Sequence, residues 1–363
     1  MGKSMNVVIR FFKDPSLFVQ QATPAHWTQL VHQCREQALL GSAYLYLQPY
    51  LEELPAQIVS HFESGKIYAD KQQQTLMREL LVLEQVFAEI DFPILLVKGV
   101  AYRLHKFAFA AGRVFSDLDL LVPATKVQPT VELLQSAGFM DSTEHDYDRR
   151  YYLEWSHQHP PLRHYTRGSE IDLHHTIFFA KSTVHVDIHK FIENSTRLNG
   201  SCFSLPAAAD MFVHSCLHLL FQEEYHKITK DLVDLHELYK SIDNKAAIIQ
   251  SAALTNKPEV VALGLHLLAT LFNVELSKEE MAFVSRQNRL SRLAVAYLVR
   301  KLTEGCNNRL AKLWWVARGH LIKMPWYLLI YHSVAKVWFL RQKKQKLSQY
   351  QQEIDKNTRP HDA

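Results

Sequence analysis

Glycine and proline are scarce in this chain, at 11 and 13 of 363 residues. Few positions can therefore take left-handed backbone or close tight turns, which favours a largely helical fold. Cysteine is scarcer still: Cys34, Cys202, Cys216 and Cys306 lie far apart and form no CxxC pair. That spacing argues against a disulfide frame and against a cysteine zinc site, and reads as four reduced thiols in a cytoplasmic protein. A dominant charge is missing too, since 41 Lys and Arg face 37 Asp and Glu for a formal +4. So small a surplus gives no support for a large nucleic-acid footprint. The opening MGKSMNVVIRFFKDPS has no long apolar core of the secretory kind. Twenty histidines are many, but no HExxH sets two of them for zinc.

What is present is a core-sized apolar fraction, 47% of the residues, arranged with two different periods. Up to about residue 90 the spacing is helical. Apolar positions recur through Ala25–Leu47, and Ala69–Glu89 carries one apolar face of Leu76, Leu80, Leu81, Leu83, Val86 and Phe87. After Pro93 the run Ile94-Leu95-Leu96-Val97 reads as a buried strand ending in Lys98-Gly99. Val100–Ala111 reads as a helix or helical turn, Arg113–Val122 as a second strand, and Ala124–Ala137 as a helix closed by Gly138. Tyr147–His157 reads as strand-like, and Arg163–Tyr165 with Glu170–Phe178 as a hairpin. From Pro206 the helical period returns in Ala207–Phe221, Lys230–Ile242, Val260–Phe272 and Ser291–Leu302. The expected class is α+β: a small mixed sheet at 91–205, helical regions at 1–90 and 206–347, and an unstructured polar tail at 348–363.

The chemistry sits in RVFSDLDLLV. Side chains of a strand alternate faces, so Asp117 and Asp119 share one face while Leu118 and Leu120 enter the core. Two carboxylates about 6–7 Å apart repel, and a divalent cation between them removes that cost. Asp172, flanked by Ile171 and Leu173 in a second apolar strand, can complete a three-carboxylate site for two Mg²⁺ ions, with Mn²⁺ as the alternative. Asp172 can also take a proton from an attacking hydroxyl. A DxD by itself is equally what two solvated acids on a sheet edge look like. Here the strand runs on into LLV, a Lys-Gly ends the preceding strand, and a second apolar-flanked Asp follows.

The run LLVKGVAYRLHKFAFAAGRVFSDLDLLVP resembles the DNA-polymerase-β-like nucleotidyltransferase superfamily, and more narrowly its uncharacterised bacterial nucleotidyltransferase family. EIDLHHTIF at 170–178 matches the strand that carries the third acid in that family. The resemblance covers about 93–180 and more loosely extends to about 245. It implies transfer of a nucleoside monophosphate from an NTP, ATP first, to an acceptor hydroxyl. The superfamily's usual Gly-Ser or Gly-Gly is replaced by Lys98-Gly99-Val100, and Asp117 follows Gly99 by eighteen residues. Lys98, Gly99, Arg113 and Ser116 are the candidate phosphate contacts, and His174 can orient Asp172 or touch phosphate.

Other features are less specific. His214 and His218, with Asp231 and Asp234 on the next helix, suit a groove wall beside the site better than a metal centre. The aromatic and basic stretch 324–346 is too short and polar for a membrane span, and suits either a packed helix or peripheral contact with the inner membrane face. Two other functions fit the same residues: a toxin or antitoxin nucleotidyltransferase acting on tRNA or a partner protein, and a non-catalytic nucleotide-binding scaffold. The sequence does not name the acceptor.

Overall fold

A computed structural model describes residues 6–115, 117–143, 145–221, 223–303 and 309–335, together with 338, 341, 345, 348 and 349. Ser116, Cys306 and nearly all of the 348–363 tail lie outside the described residues, as does part of the 324–346 stretch. The fold is α+β and predominantly helical, as the composition predicts.

Among the described residues seven short strands form one mixed sheet. They are β1 (Ile94–Leu96), β2 (Leu118–Leu121), β3 (Phe139–Asp141), β4 (Leu162–His164), β5 (Glu170–His174), β6 (Thr196–Arg197) and β7 (Phe203–Leu205). Their order is β3-β4-β5-β2-β1-β7-β6. β1 runs antiparallel to β2 and parallel to β7, while β2 and β5 run parallel. Every residue of β1 and β2 is buried. β1 is buried on both faces, which accounts for its continuous apolar run, whereas β2 turns Asp119 to the cavity.

The long helix Ala56–Val86 braces the sheet at two points. Gln73 donates to the carbonyls of Ala110 (2.8 Å), Ala111 (3.1 Å) and Arg113 (3.2 Å), fixing the loop that enters β2. Glu79, buried on the same helix, accepts from Arg167 at 2.7 Å and so anchors the turn of the β4–β5 hairpin. The two strands that bear the acids are therefore tied to one rigid rod. Helices before and after the sheet share a continuous apolar core with it, running from Val7 to Trp315.

Two sequence expectations change. Tyr147–His157 is not a strand; most of it belongs to the helix Asp146–Glu154. Asp146 and Asp148 favour its N-terminus, and Arg150 pairs with Glu154 one turn on at 2.8 Å. Tyr147, Tyr151 and Trp155 then form an aromatic stripe at helical spacing. The strand expected over Arg113–Val122 is paired only at Leu118–Leu121. Residues 113–115 turn aside to pack on the helix Lys98–Leu104, so Asp117 stands just before the strand. The hairpin and the later helices Ala208–Phe221, Ile228–Ser241, Glu259–Phe272 and Arg289–Thr303 follow the sequence reading closely. Among the described residues, no helix is long and apolar enough to cross a membrane.

Candidate active site

The parallel pairing of β2 with β5 sets Asp119 directly beside Asp172. Residues in register on neighbouring strands face the same way, so two carboxylates from distant parts of the chain meet on one side of the sheet. His174, two residues beyond Asp172, shares that side. One ligand atom from each of Asp119, Asp172 and His174 lies within 4.8 Å of the others, a spacing that suits a metal ion. No such group among the described residues includes His214 or His218.

Asp119 is only 4% exposed, and its charge is held by two partners. Lys98 Nζ donates to Oδ1 at 2.6 Å, and His174 Nε2 meets the same oxygen at 2.9 Å. Burial, with Lys98, His175 and His218 nearby, pushes the His174 pKa well below its ordinary value. The ring is therefore neutral and donates its Nε2–H to Asp119. Burial works against the Lys98 ammonium, but Asp119, Asp172 and Asp117 outweigh it and raise its pKa. Lys98 holds a left-handed backbone, φ +53, that a lysine adopts only under local constraint. That conformation turns the end of β1 into the helix Lys98–Leu104 while the lysine side chain reaches Asp119.

Asp172 is the uncompensated member. Its Oδ1 is buried with no hydrogen-bond partner. Burial first, then the Asp119 and Asp117 charges, pushes its carboxyl up to about 7, against the pull of Lys98 and of a Gln158 hydrogen bond. An orphaned carboxylate oxygen beside two further acids is the hard oxygen environment that a divalent cation such as Mg²⁺ accepts. The residues present fit such an ion.

These acids line a cavity of about 410 Å³ together with Lys98, Gly99 and Arg113. Six of the eight site residues read from the sequence thus converge on one space. His174 stands behind it, hydrogen bonded to Asp119, and Ser116 lies outside the described residues. Arg113 is not a loose phosphate ligand: its Nε and Nη2 both meet Asp234 Oδ2, at 3.1 and 3.0 Å, and its guanidinium lies over the Tyr102 and Phe115 rings. Gly99 has a steric role. A Cβ there would come within 2.1 Å of Arg113 Nη1 and 2.5 Å of the Phe115 ring.

The helix Ala208–Phe221 brings His214, Ser215 and His218 to the cavity, and the helix Ile228–Ser241 brings Lys230, Asp231 and Asp234. The groove wall expected of these helices is present. His218 Nδ1 lies 3.7 Å from Asp231 Oδ2. Sequence reading missed His157, Gln158, Lys227 and Lys230, all of which line the cavity. His157 stacks on His174 with centroids 5.1 Å apart. Lys230 has no ion-pair partner among the described residues, and Arg113 followed by burial lowers its pKa. None of these four belongs to a motif, and no feature of the sequence alone would have singled them out.

The family described as "Uncharacterised nucleotidyltransferase" matches residues 23–273, well over half of the chain. Neither the curated proteins nor the solved structures contain a match.

Proposed function

The chain belongs to the uncharacterised nucleotidyltransferase family, and from that premise we propose that it is a Mg²⁺-dependent enzyme moving a nucleoside monophosphate from an NTP, ATP first, to an acceptor hydroxyl. The family membership carries nucleotidyl transfer and an NTP substrate. The metal dependence rests on one observation above the others: Asp119 and Asp172 in register on parallel strands, with a buried Asp172 oxygen left unpartnered. Asp117, at the rim of the same cavity, is the third carboxylate.

Asp117, Asp119 and Asp172 are the residues to hold two ions, with Mn²⁺ as a substitute for Mg²⁺. A metal held there would lower the pKa of the attacking hydroxyl and offset the charge on the departing pyrophosphate. His174 and Lys98 act on Asp119, fixing its rotamer and balancing its charge. Asp172 is the base that receives the hydroxyl proton. Lys230, with no ion pair among the described residues, brings a cation into the cavity for the triphosphate, and Arg113 backs it while anchored to Asp234. Gly99 keeps that end of the cavity open by yielding space to Arg113 and Phe115.

Calorimetric titration of Mg-ATP into the wild type and into the double variant Asp117→Ala/Asp119→Ala tests this reading. Binding by the wild type alone is expected. Equal binding by both proteins, or none by either, contradicts it.

A further inference from the structure

A nucleotidyl transferase needs a place for its acceptor, and a second cavity adjoins the first. It has a volume of about 780 Å³ and lies between the helix Asp146–Glu154, residues 223–224 and the C-terminal helical residues 320–333. Glu224 lines both cavities. The two cavities therefore meet at Glu224.

Its lining has a definite chemistry. Tyr151 and Tyr152 present aromatic rings and hydroxyls, and Ser142, Thr143 and Ser333 add further hydroxyls. The rings are held in place: Tyr151 packs on His332 at 5.1 Å, and the neighbouring Tyr147 hydroxyl meets His332 Nδ1 at 2.7 Å. Three carboxylates, Asp148, Glu223 and Glu224, face this space beside His320 and His332, and no lysine or arginine among the described residues lines it. Glu223 is paired with Lys323, and Glu224 with Lys227 at 2.6 Å. Asp148 has no ion-pair partner among the described residues. Such a lining offers a phosphate no lysine or arginine of its own among the described residues, offers acceptors to hydroxyl donors, and offers ring faces to C–H groups. A polyhydroxylated ring compound fits all three features, whereas a nucleic-acid backbone finds no unpaired lysine or arginine on this lining among the described residues.

We propose that this second cavity is the acceptor subsite and that the acceptor is a sugar bearing free hydroxyls and no phosphate. The proposal rests on the nucleotidyl-transfer reading above. In the reaction a sugar hydroxyl oxygen bonds to the α-phosphorus of the NTP and the bond to the β-phosphate oxygen breaks. Pyrophosphate leaves, the hydroxyl proton passes to solvent through the acidic site, and the product is a sugar–nucleoside phosphodiester.

The test uses the full chain with Mg²⁺ and ATP labelled at the α-phosphate, offered methyl glucoside, methyl mannoside and glucosamine beside glucose 6-phosphate and a tRNA. Label is expected on at least one unphosphorylated sugar and not on the phosphorylated sugar or the tRNA. Asp148→Asn and Tyr151→Ala are expected to raise KM for that sugar about tenfold, the scale of one lost hydrogen bond to a charged group, with KM for ATP unchanged. Tyr151→Phe retains the ring and covers the case in which the alanine variant fails to fold. Label on glucose 6-phosphate or tRNA, no label on any sugar, or equal effects on both KM values overturns the proposal. If the wild type binds Mg-ATP calorimetrically yet labels no sugar, the acceptor assignment alone fails. If it does not bind Mg-ATP, the nucleotidyl-transfer reading fails with it.

Discussion

Asp172→Asn separates what the acid does for function from what it costs the fold. In the metal-free protein this carboxyl is raised from 3.8 to about 7, mainly by burial and then by Asp119. The folded chain therefore holds this proton to higher pH than the unfolded chain does. Unfolding releases the proton between these two values, so stability falls as pH rises from about 4 to about 7 and is flat beyond. At 1.36 kcal/mol for each tenfold change, the penalty at pH 8 is at most about 4 kcal/mol. Asparagine keeps the shape and removes the charge, at the cost of a reorganised contact with Gln158. A net gain of about 2 kcal/mol at pH 8 is expected, or a rise in Tm of about 4 °C, with little difference at pH 4.5. The assay is a series of thermal melts of both proteins across that range in chelator, then with Mg²⁺. Mg²⁺ is expected to raise the wild-type Tm and leave the variant where it was. A variant less stable than wild type at every pH, or a gap that does not change with pH, refutes the argument.

The other predictions follow from the same contacts. His174→Gln retains a donor for Asp119 and should keep most of the activity, whereas His174→Phe removes it and should weaken Mg²⁺ binding about 10–100-fold by titration calorimetry. Lys98→Met leaves Asp119 buried beside a neutral His174, so urea unfolding should show a loss of about 3 kcal/mol. Gly99→Ala forces a methyl group against the Arg113 guanidinium and the Phe115 ring; the same unfolding measurement should report a loss of about 1–3 kcal/mol. Arg113→Ala strands Asp234 and should cost about 3 kcal/mol, most of which Arg113→Met with Asp234→Leu recovers; thermal melts of the single and double variants check this.

The parts of this molecule written in local pattern were legible in advance. Ile94-Leu95-Leu96 is apolar throughout because this strand is buried on both faces, and it reads as a strand for that reason. The hairpin that carries Asp172 is announced by Arg167-Gly168 between two apolar runs, and Gly168 takes a positive φ of 70°. The helix Asp146–Glu154 was not legible, because DYDRRYYLE mixes aromatic and polar residues without a clean period, and its aromatic face is decided by residues near 331. Asp117 illustrates a related limit. Strand alternation predicts its face only where the strand is paired, and pairing stops at Leu118 because Arg113 is drawn to Asp234 on a helix more than a hundred residues away. Lys230 and His157 join the site purely through such long-range packing. The carboxylates, Lys98 and His174 were visible as a pattern; Lys230 and His157 were visible only in three dimensions.

The central claim is that three carboxylates carry metal-dependent transfer of the α-phosphoryl group of an NTP. The most direct measurement offers ATP labelled at either the α- or the γ-phosphate to wild type and Asp119→Asn, in cell lysate, with Mg²⁺ or with chelator. The account predicts a new product that carries only the α-label, formed by the wild type with Mg²⁺ and absent both from the variant and in chelator. A product carrying the γ-label, or α-label transfer that survives in Asp119→Asn or in chelator, contradicts it.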